Sequence, residues 1–172
     1  TPRVSLTPDA LLLEIGSCLR LFGGLERIVA AAQEGVVAQG YSVMLAVAPT
    51  PLGAHWLARA GSEVRCRDMS ELRAQLEALP LGILPEKAAA ALHRFGARTL
   101  GDVRRLPAAA LGRRIGAETM QLLARAFGEL ADPRADFVFP EHFSLALELP
   151  ASVENAPALQ FAARRLTALP LM

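Results

Sequence analysis

Two cysteines, one lysine and few aromatics limit what these 172 residues can be. Cys18 and Cys66, with 47 residues between them, match no zinc spacing and no redox pair, and read as buried thiols of a reducing cytoplasm. Aromatic residues are 5% of the chain, and the apolar mass is mostly Ala and Leu, which favours helix over an all-β architecture. A net charge of only +1 excludes a globally basic protein and leaves local basic patches to look for. Seventeen of the 18 cations are Arg, a bias attributable to genome composition. Long hydrophobic runs are missing too. Gly35 to Ala58 is uncharged, but Gln39, Gly40, Ser42, Pro49, Pro51 and His55 break it into helix end, turn, strand, turn and helix start rather than a membrane span. No charged segment followed by an apolar one opens the chain, so no signal peptide is expected, and the ends at Thr1-Pro2 and Leu171-Met172 read as those of a fragment. Hydrophobic residues are nonetheless 52%, enough to bury a core in one domain or two small modules.

Hydrophobic periodicity divides the chain into three parts. Ala10 to Gly16 is a short apolar run expected to form a largely buried strand. Leu25, Ile28, Val29, Ala32, Val36 and Val37 recur at helical spacing over 25–38, with Gly40 as a stop. Ser42 to Ala48 reads as a second strand, Thr50-Pro51 as the cap and first turn of a helix running to about Ala60, and Glu63 to Arg67 as a third strand. The expected fold class is α+β, with a β-α-β-α-β unit over 1–67. From 68 to 132 the pattern becomes all-helical. Helices are expected from Ser70 to about Leu79 and at about Pro85–Phe95, Thr99–Leu106, Pro107–Ile115 and Ala117–Leu130. After a polar linker, 132–136, an alternating strand over Phe143–Leu149 and a helix over Asn155–Leu169 form an incomplete third module, 133–172.

Charge is concentrated in the helical part. Between Glu86 and Arg114 stand Lys87, Arg94, Arg98, Arg104, Arg105, Arg113 and Arg114 against Glu86 and Asp102, net +5, so the rest of the chain carries −4. Arginines at helix ends and turns, with backbone amides at helix N-termini, suit phosphate. A solvated helical face is the competing reading for each single arginine.

The order Leu81-Gly82-Ile83-Leu84-Pro85-Glu86-Lys87, then Phe95-Gly96-Ala97-Arg98-Thr99-Leu100-Gly101-Asp102, resembles a helix-hairpin-helix binder of DNA backbone. Gly82 and Ile83 fit its turn, whereas Leu84 stands at the second glycine, where a side chain is expected to impair close approach. Together with Ser5 to Phe22 and Ala46 to Ala54, these segments resemble the late palm (1–67), thumb (68–132) and start of the little finger (133–172) of Y-family DNA polymerases. Leu13-Glu14-Ile15-Gly16, Leu19-Arg20-Leu21-Phe22-Gly23-Gly24, Ala48-Pro49-Thr50-Pro51 and Leu147-Glu148-Leu149-Pro150 are similar to its ImuB-like branch.

The resemblance implies two adjacent palm carboxylates holding magnesium ions for nucleotidyl transfer. Asp9 is the remnant of that pair, and Ala10 (or Pro8 in the shifted register) replaces the second carboxylate, so no catalytic or metal-binding residue and no cofactor is expected. Glu14 falls on the opposite strand face. The family's two lysines near the nucleotide read Thr50-Pro51 and His55, and His55, His93 and His142 are taken as structural. The function implied is that of a non-catalytic accessory of damage-induced (SOS) mutagenesis and translesion synthesis, cytoplasmic and nucleoid-associated. The implied partners are DNA, an error-prone polymerase α subunit, ImuA, and a sliding clamp reached through a region outside this sequence. DNA contacts are expected at Gly82, Ile83, Lys87, Arg94, Arg98, Thr99, Gly101, Arg104 and Arg105. The alternatives are an active Y-family polymerase using Mg²⁺, and a helix-hairpin-helix DNA-binding protein unrelated to polymerases.

Overall fold

The computed structural model of the chain describes residues 1, 3–138, 148 and 156–168. The chain divides into two compact units, Thr1–Phe137 and Val138–Met172. In the first, strands β1 (Val4–Leu6) and β2 (Leu11–Leu13) pair antiparallel and are followed by helices α1 (Leu19–Phe22), α2 (Leu25–Ala38), α3 (Pro51–Arg59), α4 (Met69–Glu77), α5 (Glu86–Arg94), α6 (Leu100–Arg104) and α7 (Ala108–Ala126). In the second, α8 spans Ala156–Ala168, one residue inside each end of the expected helix, while the strand expected over Phe143–Leu149 lies outside the described residues apart from Glu148. No helix among the described residues is long and apolar enough to cross a membrane. The protein is a mixed, mostly helical fold.

The β-α-β-α-β sheet does not form. Among the described residues the only sheet is the β1–β2 hairpin, and β1 is a strand that the sequence pattern did not mark. The segments expected as strands at 42–48 and 63–67 meet through a single parallel bridge, Val47 with Arg65, closed by Val47 N–H to Val64 O (2.9 Å) and Cys66 N–H to Val47 O (2.8 Å). Each has β-forming residues but one neighbour at most, and a ladder needs paired partners to extend. Nor is β2 buried. The register sets Val4 opposite Leu13 and Leu6 opposite Leu11 on one face, and no layer among the described residues covers that face, so Leu11 stays 62% exposed. Ser5, on the other face, is buried.

The core lies among α3 to α7. Leu52, Trp56 and Leu57 of α3, Leu72 and Leu76 of α4, Leu81 and Ile83 of the turn after it, Leu92 of α5, Leu100 and Val103 of α6, and Leu123, Ala126 and Phe127 at the end of α7 form one cluster. That cluster draws on residues from both sides of position 67. Local signals start its helices. Asp68 caps α4, its carboxylate accepting from Ser70 and Glu71 N–H, so the cap falls two residues before the Ser70 start read from sequence. Thr99 caps α6 in a capping box with Asp102. The helices expected at Pro107–Ile115 and Ala117–Leu130 run together as α7, with a break at Gly116, whose φ of 79° only glycine adopts readily.

One side chain ties the two ends of this core. The Thr50 hydroxyl accepts from Gly53 N–H (3.1 Å), capping α3, and donates to Ala126 O (2.8 Å) at the end of α7. Both partners are buried, so a residue without the hydroxyl leaves a donor and an acceptor unpaired. Thr50→Val should therefore lose about 1–3 kcal/mol of stability. The expected readout is a lower urea midpoint at unchanged slope, and an unchanged midpoint would show that the hydroxyl is not the link.

Candidate nucleic-acid interface

The turn between α4 and α5 is built from the inside. Leu81, Ile83 and Leu84 are buried, Leu81 N–H donates to Arg98 O (3.3 Å), and Leu100 N–H donates to Leu79 O (3.0 Å), so the turn is stitched to the segment entering α6. Leu84 is 4% exposed with extended backbone. Its side chain packs into the core and also lines the cleft beside the turn. Gly82 is exposed, lacks a positive φ, and has open space where a Cβ would stand. Neither backbone conformation nor packing requires a glycine there. A cleft of about 460 Å³ adjoins this turn, between Gly82–Glu86 and Trp56 and Arg59 of α3. Arg59 escaped the sequence reading; its signal is its place one turn after His55 on the α3 pattern.

The basic residues separate into two groups. Lys87, Arg94, Arg98 and Arg113 are exposed, and no ion pair engages their side chains among the described residues. Arg104 is engaged three ways: with Glu129 (2.8 Å), with Glu77 (3.8 Å), and stacked 4.3 Å above the Phe127 ring. Arg105 pairs with Asp102 (3.1 Å) but remains largely exposed, and Arg114 stacks 4.1 Å from the Phe95 ring. Three further expected contact residues have internal roles. Ile83 is core, Thr99 is the α6 cap, and Gly101 lets α6 approach α4, since a Cβ there would stand 3.0 Å from Glu77 O.

Asp9, expected from the resemblance to be what is left of a carboxylate pair, is also resolved into contacts. Asp9 sits in the bend between β1 and β2, and its Oδ1 accepts from the Thr7 hydroxyl (3.2 Å) and lies 3.0 Å from His55 Nε2. Desolvation pushes its carboxyl up, but the charge of His55, hydrogen bonds from Thr7 and His55, and Arg59 outweigh it and hold the group below the ordinary value. Ala10 follows with no carboxylate. Glu14 is held below its ordinary value chiefly by the Ser17 hydroxyl (2.7 Å), which ties it to the turn before α1. No cluster of three or more His, Cys, Asp or Glu able to hold a metal occurs among the described residues. Both cysteines are free and buried, and burial, then Glu71 and Asp68, push the Cys66 thiol up. His93 lies exposed in the last turn of α5, and His142 lies outside the described residues.

Asp102 is the carboxyl of this region that is held below its ordinary value. Its Oδ2 accepts from Arg98 N–H (2.9 Å) and Thr99 N–H (3.0 Å), which hold the carboxyl below its ordinary 3.8. A carboxyl depressed in the folded state stabilises it above that ordinary value, and the stabilisation disappears as pH falls through the folded value. Asp102→Asn should lower Tm at pH 7 and shrink the loss of Tm between about pH 4 and pH 2. Identical acid limbs in thermal melts of wild type and variant would show that the capping box does not set this dependence.

Comparison with known proteins finds no matching family, no matching curated protein and no matching solved structure for this chain.

Proposed function

We propose that the chain belongs to a non-catalytic, polymerase-like accessory of damage-induced mutagenesis, which binds duplex DNA by its backbone. On this reading 1–67 corresponds to the late palm, 68–132 to the thumb and 133–172 to the start of the little finger of the ImuB-like branch. An error-prone polymerase α subunit, ImuA and the sliding clamp are its protein partners. The observations that carry the reading are four exposed cations that no ion pair engages among the described residues, Lys87, Arg94, Arg98 and Arg113, and the exposed turn at Gly82. Phosphate oxygens satisfy exposed arginines and lysines regardless of base sequence, and each contact releases counterions. The lack of nucleotidyl transfer is supported by Asp9, which stands beside Ala10 and is turned to His55.

Two measurements test this. Duplex binding should be near micromolar at physiological salt, indifferent to sequence, and steeply salt-dependent, as for non-specific binders. Arg94→Ala with Arg98→Ala should flatten the log–log salt slope by about 0.9 for each lost phosphate contact. Arg104→Ala should leave the slope unchanged while lowering Tm, because Arg104 already has partners. An unchanged slope in the Arg94/Arg98 variant would reduce the cluster to solvated surface.

The second measurement concerns catalysis. Primer extension with magnesium or manganese should be absent in the wild type, and Ala10→Glu alone should not restore it. Template-directed incorporation by the wild type but not by Asp9→Ala would establish an active polymerase instead.

A further inference from the structure

A second cleft, of about 330 Å³, opens between the Thr7–Pro8 bend, α3, α7 and the segment Asp132–Arg134. Its volume is at the small end of ligand pockets. Leu52, Trp56 and Leu122 give it an apolar wall. Most of its charged groups are matched internally. Arg134 donates through Nε (3.0 Å) and Nη2 (2.7 Å) to Asp132 Oδ2, and His55 is held by Asp9 at 3.0 Å.

Arg125 is the exception. It is half-buried within the apolar run from Leu122 to Phe127, its Nε is shut off from solvent without a hydrogen-bond partner, and no carboxylate among the described residues pairs with it. A guanidinium keeps its charge at any physiological pH, and a buried donor left unpaired is destabilising. The Arg125 guanidinium thus stands beside an apolar wall with no carboxylate partner among the described residues. We propose that the cleft binds a phosphomonoester, with the phosphate on Arg125 and the organic part along Leu122 and Pro133. Arginine's fork of donors matches phosphate oxygens, and a cleft of this volume has room for more than a bare anion. None of the residues lining the cleft belongs to the basic cluster of 86–114, although Trp56 and Leu122 also line the cleft beside Gly82.

The test uses inorganic phosphate as the first probe, followed by calorimetry and thermal shift on the wild type, Arg125→Gln, Pro133→Asp and Arg73→Gln. Pro133 is exposed at the rim, so its carboxylate variant repels the ligand without disturbing the core and remains decisive if Arg125→Gln does not fold. Phosphate should bind saturably and raise Tm, at least tenfold more weakly in Arg125→Gln and Pro133→Asp and unaltered in Arg73→Gln, an exposed cation on α4. A single-stranded oligonucleotide with and without a 5′-phosphate then identifies the source. Preference for the phosphorylated end assigns the site to a nucleic-acid terminus, and equal binding assigns it to a free phosphomonoester. Absence of saturable phosphate binding, equal affinity in the two cleft variants and wild type, or an equal loss in Arg73→Gln would overturn the proposal.

Discussion

The Thr50 hydroxyl is the contact on which the arrangement of the first unit depends. It starts α3 by capping Gly53 N–H and, in the same geometry, fixes the last turn of α7 through Ala126 O, 76 residues away in sequence. Gly53 has no room for a Cβ, which would lie 2.4 Å from the Thr50 oxygen. With these helix ends joined, Trp56 of α3 and Leu122 of α7 line both clefts. The turn at Gly82 and the pocket at Arg125 therefore share a wall whose position is set by one buried hydroxyl and the core around it. Two satisfied buried backbone groups specify the docking more sharply than apolar contact alone, because apolar packing tolerates small slides while an unpaired buried amide does not.

Counting cations overstates what is free to meet a ligand. Arg104 looks like its neighbours in sequence, yet its charge is engaged by Glu129 and Glu77 and its plane by Phe127. Arg94 and Arg98, exposed and without carboxylate partners among the described residues, keep their charge available. Exposed ion pairs contribute little to stability, but they do neutralise local potential, so the difference between the two groups bears on binding more than on folding.

Local signals made much of the helical architecture legible. The apolar spacing over 25–38 matches α2 at both ends, and Thr50-Pro51 marks the start of α3 because both the cap and the preset proline φ act within one turn. The Thr99 cap and the Gly116 break were readable for the same reason. Strands were not. Residues 42–48 have the β-forming composition, but a strand exists only through a neighbour, and the sequence says nothing of which neighbour is present. Long-range pairings were equally hidden: Arg104 with Glu129, His55 with Asp9, and the Thr50 bond to Ala126 span 25, 46 and 76 residues. For Arg125 a signal did exist, a single cation inside the apolar run 122–127, whose pattern gives the helix but not the lack of a partner.

The central claim, that the turn at Gly82 and the exposed cations of 87–98 meet DNA phosphate, is tested most directly by mapping amide chemical shifts in ¹⁵N-labelled protein titrated with a short duplex. Saturable, salt-sensitive shifts centred on Gly82, Lys87, Arg94 and Arg98 are expected, with the amides of β1, β2 and α2 unmoved. Shifts confined to β1, β2 and α2, or no shifts at low salt, would contradict it.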